Sequence, residues 1–292
     1  MASLTDATGS RGILRPSQVG SVYRLGRYPC DPRLDPYVEH YWSVRWALDT
    51  PRREQSSVLS HPAVHLSFEE GEEPVRHGHP LPSVLVHGVI TTRFDIELAG
   101  RGRVLGVKFR PGGFTALTGL DASRFTDSVA SLPTVVPGAE GLWDEVFACE
   151  DDEGRCAVAE RHLVAWLPSE VDPDYVRVRA LVDDVAADRG VVRSAELARR
   201  HAMSDRTMQR LLRRYVGISA AWLIRRYRLL DAMTALQEDP GLDLAELALT
   251  LGWYDQSHLT RDFTAAVGVP PSRYGRGLDT GRGGDGTSAS AR

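Results

Sequence analysis

Between Ser194 and Gly268 one arrangement of apolar and polar positions occurs twice. Ala195-Glu196-Leu197-Ala198 returns as Ala245-Glu246-Leu247-Ala248. Met208-x-Arg210-x-Leu212, ending at Gly217, returns as Leu259-x-Arg261-x-Phe263, ending at Gly268. The first pair is offset by 50 residues and the second by 51, so the slip falls in the turn. Each copy predicts a short helix, a tight turn at Ala202-Met203 or Gly252-Trp253, and a longer helix. Ser194 and Asp243 stand where N-caps are wanted, and Asp243-x-x-Glu246 has the spacing of a capping box. Ser204 or Asp205 is placed to cap the longer helix of the first copy, and Asp255 that of the second. From Thr207 to Val216, Met208, Leu211, Leu212 and Tyr215 recur at three- and four-residue spacing and define a buried stripe. Between the copies Ser219 caps a helix running to about Glu238, with Trp222, Leu223, Leu229, Leu230, Met233 and Leu236 as its apolar positions. At roughly 1.5 Å per residue this rod is about 30 Å long, close to a DNA turn of about 34 Å.

Two short-helix, turn, long-helix units are the plan of a repeated helix-turn-helix, whose second helix enters the major groove. The polar face opposite the Met208 stripe carries Arg206, Gln209, Arg210, Arg213 and Arg214. Arginine offers bidentate donors to guanine and a charge for phosphate, and glutamine pairs with adenine. Two such helices on one rod predict a chain that reads a bipartite site.

Ser204 to Arg210, the rod, the Ala-Glu-Leu-Ala repeat, and Leu251-Gly252-Trp253 through Val269-Pro270-Pro271-Ser272-Arg273-Tyr274 together resemble the DNA-binding domain of AraC/XylS-type transcription regulators. The resemblance runs from about Tyr175 to Tyr274. It implies base-facing positions at Arg206, Gln209 and Arg210 in the first copy. In the second it implies Gln256, Ser257 and Arg261, with His258 beside them. The second copy departs from the pattern, since Arg261 is its one cation, followed by Asp262 and Thr264-Ala265-Ala266.

The preceding half follows another period. Tyr41–Leu48, Ala63–Phe68, Ser83–Val89, Arg93–Leu98 and Arg103–Phe109 are short β-prone runs between Gly and Pro punctuation, with Phe94 to Leu98 the clearest alternation. Gly113–Leu117, Gly141–Phe147 and Asp152–Leu167 read as helices. The last offers Leu163, Trp166 and Leu167 as an apolar face for the chain's own β-layer or for a second copy. The segments Tyr41 to Trp46 and Leu98 to Gly112 resemble a sensor-type domain found ahead of such DNA-binding domains. The expected fold class is therefore α+β in two domains: a β-rich, cupin-like amino-terminal domain with trailing helices, and an all-α domain with two helix-turn-helix motifs joined by a long helix. The expected boundaries are a disordered tail over 1–20, a sensor or dimerisation domain over 21–168, a linker over 169–174, the DNA-binding domain over 175–276, and a disordered tail over 277–292.

Charge sharpens this division. The chain carries a net −4 in 292 residues, which by itself argues against a polyanionic partner. Residues 174–276, however, hold 16 arginines against 13 acids, and residues 1–173 hold 17 bases against 24 acids. Phosphate binding then rests on clusters such as Arg213-Arg214 and Arg225-Arg226-Arg228. Cys30, Cys149 and Cys156 have no zinc or redox spacing, and no apolar run approaches a membrane span. A cytoplasmic chain with free thiols is expected.

The other chemistry is sparse. His77-x-His79 with His87 resembles the histidines of cupin metal sites, but no carboxylate follows them within several residues. They are read as exposed loop histidines, with no metal, and His61 and His65 as hydrogen-bonded structural residues. Trp42, Trp46 and Phe68 are candidate effector contacts as well as ordinary core aromatics. No catalytic residue or cofactor is expected. The partners this reading admits are double-stranded DNA, a small-molecule effector, RNA polymerase and a second copy of the chain, with no membrane. A cupin-like metal-dependent enzyme fused to a DNA-binding domain is the alternative.

Overall fold

The computed structural model describes residues 12–276. Their amino-terminal half is built on an antiparallel six-stranded sheet ordered β1-β2-β9-β4-β7-β10, from Tyr23–Tyr28 (β1), Val38–Ala47 (β2), His65–Gly71 (β4), Ser83–His87 (β7), Arg101–Phe109 (β9) and Val129–Ser131 (β10). Arg53–Val58 (β3) pairs with Phe94–Ala99 (β8), and Val75–Arg76 (β5) with His79–Pro80 (β6). The five predicted strands all form, and β1, β3, β5, β6 and β10 are additional. Alternation assigns the faces. Leu66 and Phe68 of β4, Val84 and Val86 of β7, and Leu105, Val107 and Phe109 of β9 join one apolar core. Tyr23, Trp46 and Val104 turn the other way and meet Leu98 of β8. Two cross-strand pairs show how this second face is filled: Trp42 lies opposite Gly106 and Trp46 opposite Gly102. A Cβ at Gly106 would stand 2.0 Å from the Trp42 ring, so the indoles lie where glycine leaves the pleat bare.

The helices Gly113–Thr118 (α1), Leu132–Val135 (α2), Leu142–Phe147 (α3) and Asp152–Ala165 (α4) follow the sheet. On α4, Leu163 is buried, with Trp166 and Leu167 beyond its end packed against the same core. Of the apolar face that the sequence offers to a β-layer or to a second copy, Leu163 is covered within the chain and Trp166 and Leu167 are half-buried. Pro173–Ala187 (α5) begins with a proline at its first turn, capped by Asp172, and opens the helical domain. Ser194–Arg200 (α6), Asp205–Val216 (α7), Ala220–Glu238 (α8), Leu244–Thr250 (α9), Gln256–Val267 (α10) and Pro271–Tyr274 (α11) complete it. The class is α+β, with a β-rich domain and a helical domain carrying the repeated motif.

One expectation needs correction. Residues 277–292 and 1–11 lie outside the described residues, but 12–20, expected in a disordered tail, are placed. The Leu14 amide donates to Ser57 O at 3.0 Å, and Leu14, 3% exposed, shares an apolar cluster with Leu229, Leu230 and Met233 of α8. Isolated apolar residues at a polar terminus carry no periodic signal, so only packing shows their place. The two domains also share a core: that of the sheet continues through Tyr175, Leu181, Leu212 and Leu223 of α5, α7 and α8.

Candidate nucleic-acid interface

The first recognition unit is made rigid by its caps and its stripe. The Ser204 hydroxyl accepts from the Thr207 amide at 3.1 Å and Asp255 from the His258 amide at 2.7 Å, so each longer helix starts on a side-chain cap. Ser219 caps α8 through the Trp222 amide, and Asp243 caps α9 through Ala245. Ser194 is not a cap: it is the first helical residue, and Arg193 stands before it with no side-chain bond. The turns use left-handed backbone at Ala202 (φ 49°) and Gly252 (φ 78°). Met208, Leu211, Leu212 and Tyr215 are all buried, as the spacing requires.

On the opposite face of α7, Arg206, Arg210, Arg213 and Arg214 are exposed. Arg206, Arg210 and Arg213 have no ion pair among the described residues, and Arg214 lies over the Tyr215 ring at 5.4 Å. Gln209 differs: it is half-buried, and its Oε1 accepts from the Ala220 amide at 3.3 Å, which ties α7 to the start of α8. On α10, Gln256, Ser257 and Arg261 are exposed and His258 half-buried. Asp262, a departure in charge, is a fastener here. It accepts from Trp253 Nε1 at 3.0 Å, with His258 at 3.6 Å and Arg225 at 3.8 Å. Tyr254, 85% exposed, adjoins this turn, and no periodicity had singled it out.

The Arg225-Arg226-Arg228 cluster is taken apart. Arg225 stays exposed, whereas Arg228 is half-buried over the Trp253 ring at 4.2 Å. Arg226, 2% exposed, is turned to the other domain, where it donates to Thr91 O at 2.7 Å and Ser60 O at 3.2 Å. Burial lowers its pKa to about 10, with Asp127 partly offsetting. Arg226, one position from Arg225, turns to another face of the helix, and Arg228, three positions on and on the Arg225 side, is drawn onto the Trp253 ring, so of this run Arg225 is the exposed one.

A family description, "Helix-turn-helix domain", matches residues 197–277, which contain both motifs and the rod between them. Residues 197–277 thus carry a helix-turn-helix domain of the AraC type. A second description, "Domain of unknown function (DUF6597)", matches residues 26–131 ahead of the AraC-type domain. Among solved structures, the carboxy-terminal domain of AraT, a response regulator from Geobacillus stearothermophilus, is 21% identical, covers 41% of this chain and 98% of its own, and has a TM-score of 0.34. ToxT from Vibrio cholerae is 10% identical over 87% of this chain and 98% of its own, with a TM-score of 0.42. A ToxT structure with bound unsaturated fatty acid is 12% identical over 89% of this chain and 96% of its own, with a TM-score of 0.38. No curated protein matches the chain.

In the domain ahead of the AraC-type module the candidate effector contacts do not converge. Phe68 is fully buried on the helix-facing side of the sheet. Trp42 is on the opposite side and donates from Nε1 to His65 Nδ1 at 3.3 Å; His65 is held neutral by burial, with Lys108 and His87 adding to the effect, at a pKa of about 3. Trp46 lines an open cleft of about 540 Å³ with Arg45, Glu70, Arg101, Arg103 and Trp143. Nothing in the sequence signalled that cleft, because its lining comes from segments far apart along the chain. His77 and His87 are not exposed loop histidines either: their rings meet edge to face at 5.0 Å, while His79 Nε2 pairs with Val129 O at 3.1 Å. No helix among the described residues is long and apolar enough to cross a membrane.

Proposed function

We propose that this regulator reads a bipartite operator through α7 and α10 held on the α8 rod, and that α7 dominates. The observation that carries the proposal is the face of α7: Arg206, Arg210 and Arg213 are exposed, without ion pairs among the described residues, and set on a helix capped at Ser204. Free guanidiniums on a rigid helix supply both phosphate contacts and bidentate guanine readout. On α10, Arg261 is accompanied by Gln256, Ser257 and His258, a set suited to a weaker, more polar readout. Arg214 flanks the face as a further phosphate contact, and Gln209 contributes by holding α7 against α8. For the amino-terminal domain we propose effector sensing, at the cleft lined by Trp46, Arg45, Glu70 and Arg103, a site for a small molecule with an apolar body. No residue is given a catalytic role.

The test is footprinting on an operator mapped by genome-wide binding. Protection of two patches on one duplex face, about one turn apart, is expected. Arg210→Ala should weaken specific binding by about 1–3 kcal/mol and relax base preference at one position of one patch. Protection of one patch alone, or unchanged affinity and preference in Arg210→Ala, would sink the proposal.

A further inference from the structure

Glu69, at the end of β4, His77, in the turn between β5 and β6, and His87, at the end of β7, bring three ligand atoms within 4.8 Å of one another. The structure assigns this cluster as a site for one divalent transition-metal ion of the zinc type, bound by Glu69 Oε1 and the two imidazoles.

The separations fit the ion. Ligands about 2.0–2.1 Å from a tetrahedral zinc stand about 3.4 Å from each other. Glu69 Oε1 lies 3.3 Å from His87 Nε2 and 3.8 Å from His77 Nε2. Both carboxylate-to-imidazole separations are near that spacing, and all three ligand atoms lie within 4.8 Å of one another, so closing the set on an ion asks for a shift of the turn that carries His77. The two carboxylate oxygens are divided in their tasks. Oε2 is held by Arg76 Nη1 at 3.3 Å, which leaves Oε1 for the imidazole side. Such an outer partner fixes a monodentate ligand in orientation. The Ser67 hydroxyl donates to Oε1 at 2.7 Å and lies 2.7 Å from His87 Nε2, so it stands at the remaining side of the cluster.

The surroundings select the kind of ion. Glu69 is 2% exposed, and Phe94 stacks on His77 at 5.3 Å and meets His87 edge-on at 5.9 Å, so the cluster is shielded by an aromatic wall. With one carboxylate, and that shared with the Arg76 guanidinium, the site has too little negative charge and too few oxygens for calcium or magnesium. Two imidazoles and one carboxylate instead match zinc, cobalt or nickel. His77 also holds a left-handed backbone at φ 52°, a region that histidine, like asparagine and aspartate, enters more readily than other residues with side chains. The bound ion would tie the turn that carries His77 across to the sheet.

The experiment uses the full chain, stripped with a chelator and titrated with Co²⁺ and, separately, with Zn²⁺. One equivalent of Co²⁺ is expected to give the visible bands of a four-coordinate nitrogen and oxygen site, and one equivalent of Zn²⁺ to displace it and raise the melting temperature. Glu69→Gln and His77→Asn should each weaken uptake by at least about tenfold. Asparagine tolerates the left-handed backbone, so His77→Asn keeps the fold, which circular dichroism checks. His79→Asn, next in the sequence but outside the cluster, should bind as the parent does. Absence of stoichiometric uptake by the parent chain would overturn the assignment. So would equal uptake by His77→Asn and the parent, or loss of uptake in His79→Asn alone.

Discussion

Replacing Arg226 by methionine tests how firmly the DNA-binding domain is fixed to the domain before it. The guanidinium donates across the boundary to Thr91 O at 2.7 Å and Ser60 O at 3.2 Å, reaches Ile90 O and Thr92 O at 3.4 Å, and covers the Trp222 ring at 4.5 Å. Methionine fills much of the same volume and donates nothing. The two shorter bonds each contribute about 1.5–3 kcal/mol when a charged donor is taken from a buried acceptor, or about 3–6 kcal/mol together. Against this, a guanidinium out of water is costly: its pKa, pulled well below the usual guanidinium range to about 10, marks a penalty that methionine relieves, worth about 3 kcal/mol at about 1.4 kcal/mol per pH unit. The bonds and the ring contact win by a modest margin, and a net loss of about 1–3 kcal/mol is expected. Urea denaturation followed by far-ultraviolet circular dichroism measures it. Arg225→Met is the comparison, because Arg225 is exposed and its pair with Asp262 is 3.8 Å long, so the change should cost under about 1 kcal/mol. An unchanged midpoint for Arg226→Met, or an equal loss in Arg225→Met, would refute the reasoning.

Two further outcomes follow from the helical domain. Asp262→Ala removes the acceptor of the Trp253 indole and should destabilise α9 and α10 by about 1–2 kcal/mol, seen as faster amide exchange there but not in α7; uniform acceleration would show that the second motif is not a separate unit. Changing Arg206, Arg210 and Arg213 together to glutamine should flatten the plot of log affinity against log salt by about 0.9 for each phosphate no longer neutralised, more than Arg261→Gln does, and equal slopes would end the claim that α7 dominates.

The contrast between the two halves of the chain explains what could be read in advance. Where a segment repeats itself and each helix carries its own cap and stripe, local chemistry suffices. The turn at Gly252, the caps Ser204, Ser219, Asp243 and Asp255, and the buried Met208 and Leu212 all come from interactions within a few residues, and they stand as the spacing requires. The strands were likewise legible wherever alternation was clean, as from Phe94 to Leu98. β1 and β3 were missed because their polar and apolar residues do not alternate clearly, and pairing with β2 and β8 supplies what their own sequence lacks.

Sequence by itself thus determined the class, the doubled motif and the cationic face of α7, since each depends on residues one or two helical turns apart. Tertiary structure alone decided which arginines of Arg225-Arg226-Arg228 face solvent, because the acceptors of Arg226 lie more than 130 residues away. It decided that Asp262 is a fastener and that Gln209 holds α8. It also supplied the carboxylate missing after His79: Glu69 precedes the histidines on the strand beside β7, opposite Ser83 in register, and its side chain reaches His87 at 3.3 Å. Contacts of that kind are set by the register of β4 against β7 and by the packing of α8 on the sheet, neither of which leaves a local pattern in the chain.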